Sequence, residues 1–62
     1  KRRSLYVVKE ILKGEKLSRE NIKSIRPGLG LPPKYLDEII GCYSTRYIKF
    51  GEPLRRNMFK KY

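Results

Sequence analysis

The second half of this sequence repeats the first at an offset of 37 residues, and no other feature constrains the fold as strongly. Tyr6 falls on Tyr43, Ile11 on Ile48, Gly14 on Gly51 and Glu15 on Glu52. Leu17 falls on Leu54, Arg19 on Arg56, and apolar Ile22 on apolar Phe59. The shared element is an isoleucine, two residues, Gly-Glu, one residue and a leucine. Two copies are too few for a solenoid, which needs three or more stacked units. They predict a pseudo-two-fold pair of strand–turn–strand units, each supplying apolar residues that the other covers.

Chain length limits how that pair is stabilised. The 62 residues make one domain. A chain this short buries only about 60% of the surface its unfolded form exposes, so a staple, a partner or economical packing is needed. Cys42 is the only cysteine and histidine is absent. An intrachain disulfide is therefore impossible, and a zinc site with the usual ligands cannot be assembled. A lone thiol fits a reducing, cytoplasmic setting. No apolar run approaches the ~20 residues needed to span a bilayer, and nothing has the layout of a signal peptide. The sequence opens on Lys1-Arg2-Arg3 without a methionine. It is expected to be a piece of a longer protein, with 1–3 the end of a linker, 4–59 the domain and 60–62 a tail.

Sixteen basic residues against six acidic ones give a net charge of +10. Such an excess calls for an anionic neighbour; nucleic acid, a membrane surface and a phosphorylated substrate all qualify on charge alone. The basic groups Lys1-Arg2-Arg3, Arg55-Arg56 and Lys60-Lys61 lie at the two ends of the chain. They are not interleaved with a platform of aromatic side chains, as single-strand nucleic-acid binding requires. They read as solvated termini or an inter-domain contact.

Ser4 to Val8 is β-branched and aromatic, which predicts a strand. Lys13-Gly14-Glu15 reads as a turn, and Ser18 as the cap of one helical turn through Asn21 and Ile22. Lys23 to Ile25 is extended. Residues 26–33 hold two glycines and three prolines and can only be a loop. The best helix is Lys34 to Ile40, with Pro33 in its first turn and Gly41 just past its end. Tyr35, Leu36, Ile39 and Ile40 share its apolar face. Tyr43 to Ile48 reads as a strand, Phe50-Gly51-Glu52 as a turn and Arg56 to Phe59 as a second short helical turn. The expected class is mostly β with short single-turn helices.

Catalysis within the chain is not expected. Glu15 and Glu52 are turn residues at equivalent repeat positions, and Asp37 and Glu38 diverge from one another on a helix. General acid–base chemistry needs groups that converge in a pocket. Cys42, without a histidine to activate it, reads as a small half-buried residue rather than a nucleophile.

The loop Ser24-Ile25-Arg26-Pro27-Gly28, one residue, Gly30, then Leu31-Pro32-Pro33-Lys34-Tyr35-Leu36, is the most specific stretch. With Ser4-Leu5-Tyr6-Val7-Val8-Lys9 before it and Ile11 to Leu17 between, it resembles the C-terminal SAF, or antifreeze-like, domain of the sialic acid synthase family. That family includes the N-acetylneuraminate, pseudaminate and legionaminate synthases. The resemblance covers nearly the whole chain, from about Arg3 to about Met58. It implies a β-clip fold with internal pseudo-symmetry.

The resemblance also implies a parent enzyme. Its N-terminal TIM barrel, with a divalent Mn or Mg ion, condenses phosphoenolpyruvate with an N-acetylated hexosamine. The parent is similar to a domain-swapped homodimer in which this module, inactive and monomeric by itself, caps the partner subunit's barrel. Arg26 matches the family arginine that contacts the acylamino group of the sugar, with Pro27, Gly28 and Gly30 as its supporting loop. No cofactor or metal is expected within this domain.

The residues themselves fit such a role without requiring it. Proline disfavours the helical region for the residue before it, so Arg26 is expected on extended backbone. Gly28 and Gly30 allow a sharp turn and a close approach to another surface, and a planar guanidinium suits a carbonyl or carboxylate. Taken alone, Arg26 is an exposed arginine on a surface loop, Lys34 a solvated lysine at a helix start and Tyr35 a core residue. Ice binding, as in the fish type III antifreeze proteins, stays open as an alternative, although the charged turn 13–16 and Ser18-Arg19-Glu20 argue against a flat ice-binding face. A basic nucleic-acid-binding module is the other alternative.

Overall fold

The fold is described from a computed structural model covering residues 2–61. Strand β1 spans Ser4–Val7 and pairs antiparallel with β2, Ile22–Ile25, in the register Leu5↔Ser24 and Tyr6↔Lys23. A 3₁₀ turn over Pro33–Tyr35 runs into helix α1, Leu36–Ile39. Strand β3, Tyr43–Ser44, pairs antiparallel with β4, Phe59–Lys60, which follows a second 3₁₀ turn at Arg56–Met58. The register of the second pair, Tyr43↔Lys60 and Ser44↔Phe59, copies Tyr6↔Lys23 and Val7↔Ile22 of the first.

The repeat therefore exists in the hydrogen bonds themselves. Gly14 N–H donates to Ser44 C=O at 3.0 Å, and Gly51 N–H donates to Val7 C=O at 2.7 Å. Leu17 N–H reaches Cys42 C=O and Leu54 N–H reaches Leu5 C=O, at 2.8 and 2.9 Å. At each Gly-Glu turn the glutamate carboxylate accepts from the backbone three residues earlier: Glu15 from Leu12 N–H and Glu52 from Lys49 N–H, both at 2.8 Å. Gly14 and Gly51 sit at φ +85° and +94°, where an L side chain is strained. The pattern Gly-Glu recurs because one residue makes the turn and the next closes it.

Core residues come from both copies. Leu5, Val7, Ile11, Leu17, Ile22, Ile39, Ile48, Leu54 and Met58 form one buried cluster, with Leu31, Tyr35, Leu36 and Phe59 packed against it. Each half covers apolar residues of the other, which is how so short a chain closes a core without an intrachain disulfide.

Several boundaries differ from expectation. Strand β3 ends at Ser44 rather than reaching Ile48, because Met58, next in register, accepts from Thr45 N–H but spends its own N–H on Arg55 C=O in the second 3₁₀ turn, while the Thr45 hydroxyl donates to Asn57 C=O. The chain bends there and Ile48 pairs instead with Ile11. Ser18 does cap a single turn, its hydroxyl accepting from Glu20 N–H while its own N–H donates to Asn21 Oδ1, but Ile22 already belongs to β2 and Phe59 to β4. Cys42 is buried rather than half-buried, its thiol 3.5 Å from Glu38 C=O. Lys60, assigned to a tail, pairs with Tyr43 in β4, and Arg3, assigned to a linker, donates to Ser24 C=O at 3.1 Å. The linker expectation at Lys1 and the tail expectation at Tyr62 lie outside the described residues.

Candidate functional site

The repeat breaks in one place, the segment joining the two copies. Leu31 bonds to both: Leu5 N–H donates to Leu31 C=O at 2.9 Å, and Leu31 N–H donates to Leu54 C=O at 3.0 Å. Leu5 and Leu54 also bond one another directly, so Leu31 joins that contact as a third member bonded to both halves, and the loop before it must leave the body of the domain and return within a few residues. The Arg26–Pro27 peptide is cis. Leu29 N–H closes a tight turn on Pro27 C=O at 3.0 Å.

Ser4 fixes this loop from below. Its hydroxyl, 1% exposed, donates to Pro27 C=O at 3.0 Å and accepts from Gly30 N–H at 2.9 Å. Gly30 presses closer still. A Cβ placed there would lie 2.5 Å from Leu5 O and 2.9 Å from Leu54 N, both of them backbone atoms. A Cβ on Gly28 would lie 2.7 Å from Arg2 Cβ. Within the domain, these glycines make their close approach to its own backbone and N-terminal arm.

Above this fixed base the Arg26 side chain is exposed and has no hydrogen bond or ion pair among the described residues. Arg26, Gly28 and Gly30 line an open depression of about 590 Å³ together with Arg2, Arg3 and Lys34. Pro27 lies beside Arg26 and supplies the carbonyl that Ser4 holds. Arg55 reaches the same loop from the second copy, its guanidinium 3.4 Å from Leu29 C=O. Lys34 lies with its ammonium 5.4 Å from the Tyr35 ring centroid, and Arg56 stacks on the same ring at 4.9 Å.

Four residues singled out from the sequence, Arg26, Pro27, Gly28 and Gly30, are thus brought together. Arg2 and Arg3, read as solvated termini or an inter-domain contact, are exposed and line the same depression as Arg26. Their place is set by β1, which begins next to the loop because Ser4 is bonded into it, and no local pattern reports that. Ser4 itself had one available signal. The 37-residue offset places it on Gly41, so the equivalence of the halves fails there.

Elsewhere the acidic side chains are engaged or scattered. Asp37 pairs with Arg19 at 2.7 Å and Glu10 accepts from the Tyr47 hydroxyl at 2.9 Å. Among the described residues, no three cysteine or acidic side chains are grouped to hold a metal ion. No helix among them is long and apolar enough to cross a membrane.

Residues 2–60 match the SAF domain family. This chain belongs to that family. Pseudaminic acid synthase of Campylobacter jejuni subsp. jejuni serotype O:2 is 48% identical over 58 residues, covering 94% of this chain and 17% of that protein. Pseudaminic acid synthase of Helicobacter pylori is 50% identical over 52 residues, covering 84% of this chain and 15% of that protein. This SAF domain therefore spans 15 to 17% of the length of these relatives. Its fold is similar to the solution structure of an antifreeze protein like domain from the human N-acetylneuraminic acid phosphate synthase gene, with a TM-score of 0.84. That superposition covers 95% of this chain and 76% of the other at 15% identity, a likeness of fold. The expected mostly-β, antifreeze-like architecture with its internal repeat is the one observed.

Proposed function

We propose that this SAF domain is the non-catalytic module of a pseudaminic acid-type synthase, a transferase that condenses phosphoenolpyruvate with an N-acetylated sugar. In this reading it caps the TIM-barrel active site of the partner subunit in a homodimer, and Arg26 donates to the acylamino group of the bound sugar. The parent works in the cytoplasm, where phosphoenolpyruvate is made.

One observation carries the assignment: Arg26 holds out an exposed guanidinium, unpaired among the described residues, on a loop whose base is fixed by the two hydrogen bonds of Ser4. With the loop backbone fixed before the ligand arrives, only the Arg26 side chain has to be ordered on binding, which lowers the entropic cost of positioning a substrate. The names of the relatives supply the reaction class. Lack of activity in the module alone is supported by the dispersal of its carboxylates, two of which close turns. In the same reading the divalent metal of such a synthase is held by the barrel. Ice binding finds no support in the surface, where Lys13, Lys16, Arg19 and Glu20 are exposed.

Steady-state kinetics of the parent enzyme test this. Arg26→Ala is expected to raise the KM for the sugar by about 10-fold or more, as for a lost charged hydrogen bond of about 1.5–3 kcal/mol, with the KM for phosphoenolpyruvate unchanged. Unaltered kinetics for both substrates would remove the assignment.

A further inference from the structure

We infer that the depression beside Arg26 is an oxyanion site, in which Arg2, Arg3 and Lys34 hold the phosphate or carboxylate group of a small molecule. The inference rests on the capping reading and extends it, because it gives the same loop a second, anionic ligand group to hold beside the neutral acylamino group.

Charge is the first argument. Four cations from three separate stretches of chain line one depression, and no carboxylate among the described residues lines it with them. Asp37 is held by Arg19, Glu10 by Tyr47, and Glu15 and Glu52 by their own turns. Like charges gathered without a counter-charge repel one another, and an anion from outside relieves that repulsion.

Donor chemistry is the second argument. Three of the four cations are arginines, whose planar forks match the oxygens of carboxylate and phosphate. Gly28, which also lines the depression, has a backbone N–H without a partner among the described residues. Shape is the third. The depression is open and shallow, about 590 Å³, which leaves room for the oxyanion end of a small molecule to reach the cations from outside. Two of the cations have a contact that holds them near the depression: Arg3 donates to Ser24 C=O, and the Lys34 ammonium lies 5.4 Å from the Tyr35 ring centroid.

Inorganic phosphate is the probe. Titrated into the isotopically labelled 62-residue chain at constant ionic strength, against potassium chloride as control, it is expected to give saturable amide shifts at Arg3, Gly28, Gly30 and Lys34. The double variant Arg3→Gln/Lys34→Gln should weaken phosphate about 10-fold, while the amides of Ile11 and Ile48 stay in place. Lys34→Gln alone, at an exposed position away from the core, should weaken it about threefold even if the double variant does not fold. Shifts that chloride reproduces, or that spread equally to Lys13, Lys60 and Lys61, would overturn the site. If phosphate fails to bind while Arg26→Ala still raises the sugar KM of the parent, only the anion site falls. If phosphate binds and Arg26→Ala changes nothing, the sugar assignment falls instead.

Discussion

Ile11 and Ile48 exchange both of their backbone hydrogen bonds, at 3.0 and 2.8 Å, and each is the other's counterpart in the sequence repeat. A residue that pairs with its own copy lies on the axis relating the copies, as in any two-fold contact. Both side chains are fully buried. The pair is therefore the joint at which the two halves become one core, and the flanking bonds follow from it in equivalent sets. Tyr6↔Pro53 has its counterpart in Lys16↔Tyr43, and Val8 N–H to Asn21 C=O has its counterpart in Thr45 N–H to Met58 C=O.

Position on the axis predicts matched energetics. Ile11→Val and Ile48→Val should each destabilise the fold by about 0.5–1.5 kcal/mol, with values close to one another. In the double variant the losses should not add, because the residues are in contact. Urea denaturation of the three variants measures this. Strongly unequal single-site losses would mean that the two copies do not share the core evenly.

The same strand exchange sets a titration. The Tyr47 hydroxyl donates to Glu10 Oε1 at 2.9 Å. That bond is the largest cause raising the phenol pKa above 10.0, followed by desolvation and by the negative charges of Glu10 and Glu52. A raised value means that the folded state holds the proton more tightly than the unfolded chain. The bond's contribution is thus complete below the unfolded pKa of about 10 and disappears as pH rises through the folded one. Ring carbon shifts of Tyr47 followed against pH should give a midpoint above that of a free tyrosine, and Glu10→Gln should lower it. An unchanged midpoint in the variant would show that the bond is not formed in solution.

The regular part of this fold was legible in the sequence because its determinants are local and occur twice. Gly-Glu encodes a turn and its closure within four residues, so Gly14-Glu15 and Gly51-Glu52 could be read directly. The helix expected over Lys34 to Ile40 was readable in part, from the shared face of Tyr35, Leu36, Ile39 and Ile40. Its first turn is 3₁₀, Pro33–Tyr35, α1 covers only Leu36–Ile39, and Ile40 already leaves helical backbone. What escaped the sequence was long-range. Leu31 bonds to both Leu5 and Leu54, residues far apart in the chain that only the completed fold brings side by side. The convergence of Arg2, Arg3 and Lys34 on Arg26 depends on that contact, so charges read as solvated or as an inter-domain contact share one depression. The end of β3 before Thr45 was likewise set at a distance, by the second 3₁₀ turn, where Met58 N–H is spent on Arg55 C=O, and not by the β-favouring residues around Thr45.

Close packing at Gly30 gives a sharp contrast between neighbours. An alanine there would drive its Cβ onto Leu5 O and Leu54 N, backbone atoms that cannot swing away. Gly30→Ala is expected to cost about 1–3 kcal/mol or more, as other overpacking changes do. Gly28→Ala meets Arg2 instead, on an N-terminal arm with room to move. Its cost should be smaller, with the loss appearing in the position of Arg2. Denaturation midpoints of the two variants decide between them. Equal costs would mean that the loop is not seated on β1 as described.

Ser4→Ala isolates the clamp from the groups it supports. The substitution removes little volume but leaves Pro27 C=O and Gly30 N–H without their partner. Pro27 is exposed and Gly30 half-buried, so water can replace part of the loss, and the cost should be near the net worth of a typical hydrogen bond, about 0.5–1.5 kcal/mol. The Leu5 and Leu54 bonds to Leu31 remain, so the damage should stay in the loop. Amide exchange at Gly30 should quicken well before exchange at Ile11 and Ile48, which report global opening. In the parent enzyme the same variant should raise the sugar KM although Arg26 is intact, because the loop as well as the guanidinium would then have to be ordered on binding. A loop that exchanges no faster than the core would show that its seat is set by Gly30 and Leu31 alone.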